Sequence, residues 1–278
     1  MSMFGSIAQS TREDRLVLTV NASDSTFNFY DINSNSNVLY EFQEVSNPSN
    51  SGSGELLNGP KNTDITFPSN GVYKLYIRPS GSLYSTTYRM RPSFYNSETS
   101  NRNKLISIDN WGNYPFHYNS SFAWGRCENL DISSSDCPLL HGSNNNSKDM
   151  NISSWFYADF NLHNSNNSLS NWDVSRVNNL YQTFQQTYNI SPNVTIGDWE
   201  LGPNVTSLVS MFYGSAMSCS IATKLTTKYG KTYIAWDTSN ITNLRYTFKG
   251  IHDQARGGRM TGLSNWDTSN IDTLTAAF

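Results

Sequence analysis

Charge, cysteine and long apolar runs are all scarce in this 278-residue chain. Only 15% of its residues are charged, against 37% hydrophobic, and Asn, Ser and Thr fill the difference. The charges nearly cancel, leaving −3 and an isoelectric point near 5.8. That balance excludes a general nucleic-acid binder, which needs a basic face to neutralise phosphates. No apolar run reaches the roughly 18 residues of a bilayer-spanning helix. The three cysteines, Cys127, Cys137 and Cys219, are an odd number and cannot close a disulfide framework. Two readings stay open: Cys127 pairs with Cys137 across a folded-back loop, or all three are buried free thiols. There is no C-x-x-C, so zinc is not expected. Met1 to Asp14 carries neither an apolar core nor a cleavage-site pattern, so no secretory signal or lipoprotein cysteine is expected there.

Catalytic signatures are equally thin. The histidines, His117, His141, His163 and His252, are scattered. No H-E-x-x-H, G-x-S-x-G or phosphate loop is present. Asp109 and Asp136 can be drawn as a glycosidase pair, but their expected work is in turns. The expectation is a protein that is not an enzyme and carries no cofactor and no metal.

Aromatic content is high at 13%, unlike a disordered chain. Much of it recurs. Asn171-Trp-Asp-Val-Ser-Arg-Val-Asn-Asn-Leu-Tyr-Gln-Thr-Phe184 returns as Asn265-Trp-Asp-Thr-Ser-Asn-Ile-Asp-Thr-Leu-Thr-Ala-Ala-Phe278. A third copy runs from Trp236 to Phe248, and a fourth, with one extra residue, from Asp198 to Phe212. The tryptophans at 172, 199, 236 and 266 are 27, 37 and 30 residues apart, the period of stacked-repeat proteins.

Each copy places Leu and Phe four apart: Leu180 and Phe184, Leu208 and Phe212, Leu244 and Phe248, Leu274 and Phe278. That spacing predicts one face of a short helix of about two turns. Such a helix is marginal alone and must lean on its neighbours. Leu169 to Trp172 and Leu263 to Trp266 read as short extended pieces with the Trp inward. Asp173, Asp237 and Asp267 are expected to accept backbone N–H bonds in turns; a ladder of metal carboxylates is the sharper alternative. One copy cannot bury a Trp, a Leu and a Phe by itself, so stacking must make the core.

The pattern W-D-[VT]-S-x-[VI]-x-x-L-x-x-x-F resembles the BspA-like, Mycoplasma-lipoprotein-type leucine-rich-like repeats of bacterial surface proteins and of phage and viral structural proteins. Leu105-Ile-Ser-Ile-Asp-Asn-Trp-Gly112 resembles the segment that opens such arrays, and Ser121 to Leu130 their first turn. Ser153-Ser-Trp-Phe-Tyr-Ala158 matches Val209-Ser-Met-Phe-Tyr-Gly214. The array is thus expected over 105–278, with a continuation beyond Phe278 left open. Residues 15–95 alternate short β-rich runs with Asn, Ser, Gly and Asp, which predicts about seven strands in an antiparallel sandwich. Gly71-Val-Tyr-Lys-Leu-Tyr-Ile77 is similar to a late strand of polycystic-kidney-disease-type sandwiches, although that family's Trp-Gly-Asp-Gly turn is missing. Residues 1–14 read as an arm and 96–104 as a linker. The expected fold is mainly β with short helices, an N-terminal sandwich followed by an irregular leucine-rich-like solenoid.

Charge is unevenly spread. Residues 224–259 hold seven cations against Asp237 and Asp253, a local +5, so the remainder carries −8. Insertions in repeat arrays map to loops on one face, often the binding face. Lys224, Lys228, Lys231, Lys249, Arg256 and Arg259 are therefore the candidate surface-binding residues, suited to acidic cell-surface glycan or an acidic neighbour subunit. The resemblance, with the absent signal, implies a non-enzymatic virion protein, in capsid or tail, that contacts other virion proteins through its N-terminal domain and attaches to the host surface. A homo-oligomer fits particle symmetry. A bacterial cell-surface adhesin is the alternative, and a polysaccharide-degrading enzyme a second one.

Overall fold

The computed structural model describes residues 15–29, 31–34, 37–57, 59–61, 64–80, 92–114, 116–140, 149–191, 194–228, 230–251 and 258–278. The expected arm, 1–14, and the candidate Arg256 lie outside them, as do His141 and His252.

The fold is mainly β. Strands β1 (Leu16–Ala22), β2 (Thr26–Asn28), β3 (Asp31–Ser34), β4 (Val38–Glu44), β5 (Ser51–Leu56), β6 (Gly59–Lys61), β7 (Asp64–Thr66) and β8 (Gly71–Pro79) come first. β9 (Leu105–Asn110) and β10 (Asp131–Ile132) follow. Six of them make one open sheet in the order β10-β9-β1-β8-β4-β5, while β2/β7 and β3/β6 form separate two-stranded ribbons. β8 shows period-two burial, with Tyr73, Leu75 and Ile77 inward. β1 is buried on both faces over Leu16–Val20, as a central strand with a covered sheet requires. Two register shifts interrupt the β1–β9 pairing, and β10 adds to β9 in parallel.

The sheet therefore runs into the region expected to open the repeats, because β9 and β10 belong to it. The segment expected as a linker is closely packed. Thr99–Arg102 forms one helical turn in which Asn101 and Arg102 are buried. The Asn101 side chain accepts from Asn28 N at 2.7 Å and donates to Asn28 O at 2.9 Å, as a backbone pair would. Lys104 donates to Asp24 at 2.6 Å and to Thr26 O at 3.0 Å. Sheet and array share one apolar core, continuous from Leu16 to Ala277.

In the array, β11 (Met150–Asn151) pairs in parallel with β12 (Val177–Asn179). β13 (Ser218–Ser220) pairs in parallel with β16 (Arg259–Thr261), and β14 (Lys224–Lys228) with β15 (Lys231–Ala235) makes an inserted antiparallel hairpin. The predicted two-turn helices do not form. Within the Leu-to-Phe stretch, alternate N–H groups bond to different places. Thr183 donates to Leu180 O and Gln185 to Gln182 O, closing tight turns, while Gln182, Phe184 and Gln186 donate to Val209, Met211 and Tyr213 of the next copy. The same staircase joins Ser210, Phe212 and Gly214 to Arg245, Thr247 and Lys249, and Tyr246 and Phe248 to Thr275 and Ala277. A helix would send each of these N–H groups four residues back. Here left-handed residues intervene at two places per copy: Ser154 and Ala158, Gln182 and Gln186, Ser210 and Gly214, Tyr246 and Gly250.

The side-chain consequence survives the change of backbone. Leu180, Phe184, Leu208 and Phe212 are fully buried, and Leu244 and Phe248 nearly so. The phenylalanine rings stack copy on copy, with centroids 5.5 Å (Phe156–Phe184), 6.1 Å (Phe184–Phe212), 5.8 Å (Phe212–Phe248) and 5.3 Å (Phe248–Phe278) apart. In the copy of 273–278, Leu274 and Phe278 are exposed. The tryptophans point inward as expected. Trp199, Trp236 and Trp266 each donate Nε1 to a carbonyl of an earlier segment, at Leu169, Ile196 and Ile221, so the ring is buried with its polar atom satisfied. The pieces before Trp172 and Trp266 are not extended but single 3-10 turns, Ser168–Asn171 and Leu263–Asn265, entered through left-handed Asn167 and Gly262. The three cysteines are free, so Cys127 and Cys137 do not pair.

Two outcomes follow from this geometry. At Gly250 (φ +73°) an added methyl would meet nothing closer than 3.7 Å, so Gly250→Ala should lower unfolding free energy by about 1 kcal/mol through backbone strain alone. Gln186→Gly should move the urea midpoint the other way. Separately, the hydrogen bond from Lys104 pulls Asp24 from 3.8 down to about 2. A depressed carboxylate stabilises above its unfolded value and loses that contribution as pH falls through the folded one. Melting temperature should therefore fall between pH about 4 and about 2, less steeply in Asp24→Asn.

Candidate functional site

The candidate cations divide into three groups. Lys224, Lys228 and Lys231 come together because β14 and β15 pair antiparallel and oppose Lys228 to Lys231. They do not stand as free positive charge. Lys224 lies 2.7 Å and Lys228 3.7 Å from the Asp198 carboxylate, and Lys231 pairs with Glu200. Lys228 also donates to Ser170 O at 2.7 Å, and Tyr233 donates to Asp198 O at 2.7 Å. These bonds tie the insertion to the copies before it. The Lys224 hydrogen bond holds Asp198 below the usual carboxylate range. Opposite each other on the hairpin, Leu225 and Ile234 are exposed. Arg259 is exposed on β16, apart from the hairpin in the fold's pairing scheme.

Lys249 belongs to a different cluster, one the sequence did not single out. It sits over the rings of Tyr246 and Tyr213, at 5.0 and 5.8 Å. Arg245 lies 4.7 Å over Tyr246 and donates to its hydroxyl at 3.3 Å. That donated bond, reinforced by the charge, pulls the Tyr246 phenol below its usual range. Tyr213 and Tyr246 are 6.4 Å apart. Tyr181, exposed, occupies the outward side of the copy before. Among the described residues Arg245 and Lys249 form no ion pair. The outer face of the staircase thus presents exposed cations set on aromatic rings. The signal in the sequence was Tyr181, Tyr213, Arg245 and Tyr246 lying beside, not on, the inward Leu and Phe positions.

The repeated aspartates do turn work. Asp173, Asp237 and Asp267 accept the N–H of Ser175, Ser239 and Ser269 at 2.9–3.0 Å. Among the described residues no three His, Cys, Asp or Glu side chains gather as a metal site would require. The drawn glycosidase pair is also occupied. Asp136 accepts from Trp111 N and Gly112 N at 2.7–3.0 Å. Burial pushes Asp109 up, but bonds from Ser133, Thr19 and Lys74 outweigh it and leave the carboxyl lowered. A general acid needs the opposite shift. Among the described residues no helix is long and apolar enough to cross a membrane.

Residues 141–222 and 217–278 match the family described as Mycoplasma protein of unknown function, DUF285. The array is similar to that family. The match supports a Mycoplasma-lipoprotein-type repeat protein. No curated protein and no solved structure matches the chain. The two DUF285 segments meet just before the hairpin β14/β15, so the lysine-bearing insertion opens the second segment. The cation–tyrosine cluster, drawn from copies at 181–184, 212–214 and 244–250, lies wholly inside the DUF285-like region.

Because Asp198 neutralises two hairpin lysines, Asp198→Asn should unmask them. The variant is expected to elute from immobilised heparin at higher salt than the parent and to exchange the β14/β15 amides faster; a surface pair of this kind contributes about 0–1 kcal/mol.

Proposed function

We propose that this protein is a non-enzymatic attachment protein. Its repeats form a short leucine-rich-like solenoid that displays a recognition face, and its N-terminal part, a β-sandwich in this reading, anchors that solenoid to a larger assembly. The observation that carries the reading is the outward cluster of Arg245, Lys249, Tyr213 and Tyr246. Exposed cations over rings cost little to preorganise and favour acidic, sugar-bearing surfaces. Arg259 adds charge on the neighbouring ribbon. The assembly is a virion, in capsid or tail, whose other proteins hold the N-terminal sheet, with copies of the chain arranged by its symmetry.

A second carrier has a specific observation in its favour. The DUF285 match concerns a Mycoplasma protein family, which fits display on a bacterial cell surface. The recognition face is the same in both readings.

Purified protein should be retained by acidic polysaccharide over neutral polysaccharide, with retention falling as salt rises. The double variant Arg245→Ala/Lys249→Ala should lose about tenfold in affinity, since each cation contributes on the order of 0.5–1 kcal/mol. Equal retention on neutral polysaccharide, or an unaffected double variant, would sink the attachment face. Gold-labelled antibody to the array, imaged on the source material, separates the carriers: particles for a virion, cell envelopes for an adhesin.

A further inference from the structure

A cavity of about 240 Å³ opens where the helical turn Thr99–Arg102 meets the first three copies of the array. Arg102 and Arg126 supply its positive wall, Tyr157 and Phe160 its aromatic wall, Glu128 its acidic group and Gln186 its neutral polar group. Its construction differs from that of the rest of the surface. Arg102 is 8% exposed, and its Nε is buried without a hydrogen-bond partner. Its Nη1 and Nη2 each donate one hydrogen, to Ser97 O and Thr99 Oγ1, which fixes the guanidinium in place and leaves a second hydrogen on each nitrogen. Arg126 is held between two rings, 4.3 Å over Tyr95 and 5.9 Å over Tyr157. It is carried by a left-handed residue, φ +67°, whose N–H is bonded to Tyr157 O. Phe160 is in turn backed by Tyr188, stacked at 5.1 Å.

Among the described residues neither arginine forms an ion pair. The Arg102 charge acts on the buried Asp159 carboxyl and Glu128 lines the same cavity, yet among the described residues no carboxylate is in ion-pair contact with either guanidinium, so a bound anion would complete them. Planar guanidinium matches planar carboxylate through two parallel bonds. The aromatic wall suits the C–H face of a sugar ring, and Glu128 and Gln186 suit hydroxyls. The Glu128 carboxylate tells against a multiply charged phosphate. A volume of 240 Å³ holds a single sugar unit.

We propose that this cavity binds a carboxylate-bearing sugar, with the carboxylate on Arg102 and Arg126 and the ring against Tyr157 and Phe160. The cavity shares no side chain with the Arg245–Lys249 face, although Gln186 N–H is bonded to Tyr213 O.

The test titrates the full chain with D-glucuronate and with D-glucose, which differ at C6 by a carboxylate, following amide shifts by NMR. Saturable binding of glucuronate is expected, on the order of 1 mM for one sugar unit, with glucose at least tenfold weaker. Arg126→Gln removes the charge while keeping a polar donor, and should weaken glucuronate about tenfold or more; Arg245→Ala/Lys249→Ala should leave it unchanged. Equal binding of both sugars, no saturable binding of glucuronate, or inorganic phosphate binding as tightly as glucuronate overturns the proposal. If Arg126→Gln does not fold, the parent's shifts decide: perturbations centred on Arg126, Tyr157 and Gln186 support the site, and shifts centred elsewhere overturn it.

Discussion

Everything in the array depends on where alternate backbone N–H groups point. At Ser154 and Ala158, Gln182 and Gln186, Ser210 and Gly214, and Tyr246 and Gly250 the chain turns left-handed. The intervening N–H groups close turns within the copy, and the others reach the carbonyls of the next. Each copy is thereby fixed to its neighbour at main-chain spacing. The rings of Phe156, Phe184, Phe212 and Phe248 then stack at 5.5–6.1 Å because the backbone leaves them no other distance. Side-chain packing and main-chain bonding point to one arrangement, which is what specifies a unique fold.

The strain this requires is spread thinly. Gln182, Gln186, Ser210, Tyr246 and Ala158 all carry positive φ without being glycine, whereas Gly214 and Gly250 relieve it at two sites. Three asparagines, each three residues before a left-handed residue, offset part of the cost. Asn151, Asn179 and Asn243 accept the N–H two residues on, at 2.9 Å, and hold the entry turn.

The same geometry divides the charge by role. The hairpin lysines meet Asp198 and Glu200, because an insertion that folds back over an earlier copy meets that copy's acids. Arg245 and Lys249 have tyrosines beneath them instead, since their positions face outward on the staircase. A local excess of positive charge in the sequence therefore says little about which cations are free. The junction cavity goes further, for it joins Arg102 from before the array to Arg126, Tyr157 and Gln186 from three successive copies.

The sequence by itself determined the repeat, the inward Trp, Leu and Phe, the turn role of Asp173, Asp237 and Asp267, and the mainly β character. Those follow from patterns in which chemistry recurs at fixed spacing, and burial of apolar rings admits few alternatives. Tertiary structure alone decided the rest. Leu180 and Phe184 share a face in a helix and in the observed turns alike, so spacing cannot separate the two; only the next copy's carbonyls, 26 or more residues away, select the left-handed form. For the same reason β9 and β10 join the N-terminal sheet, and Asn101 and Arg102 pack into a segment that reads as a polar linker. Those outcomes rest on partners remote in sequence, and hydrogen bonds to remote partners leave no periodic trace in the chain.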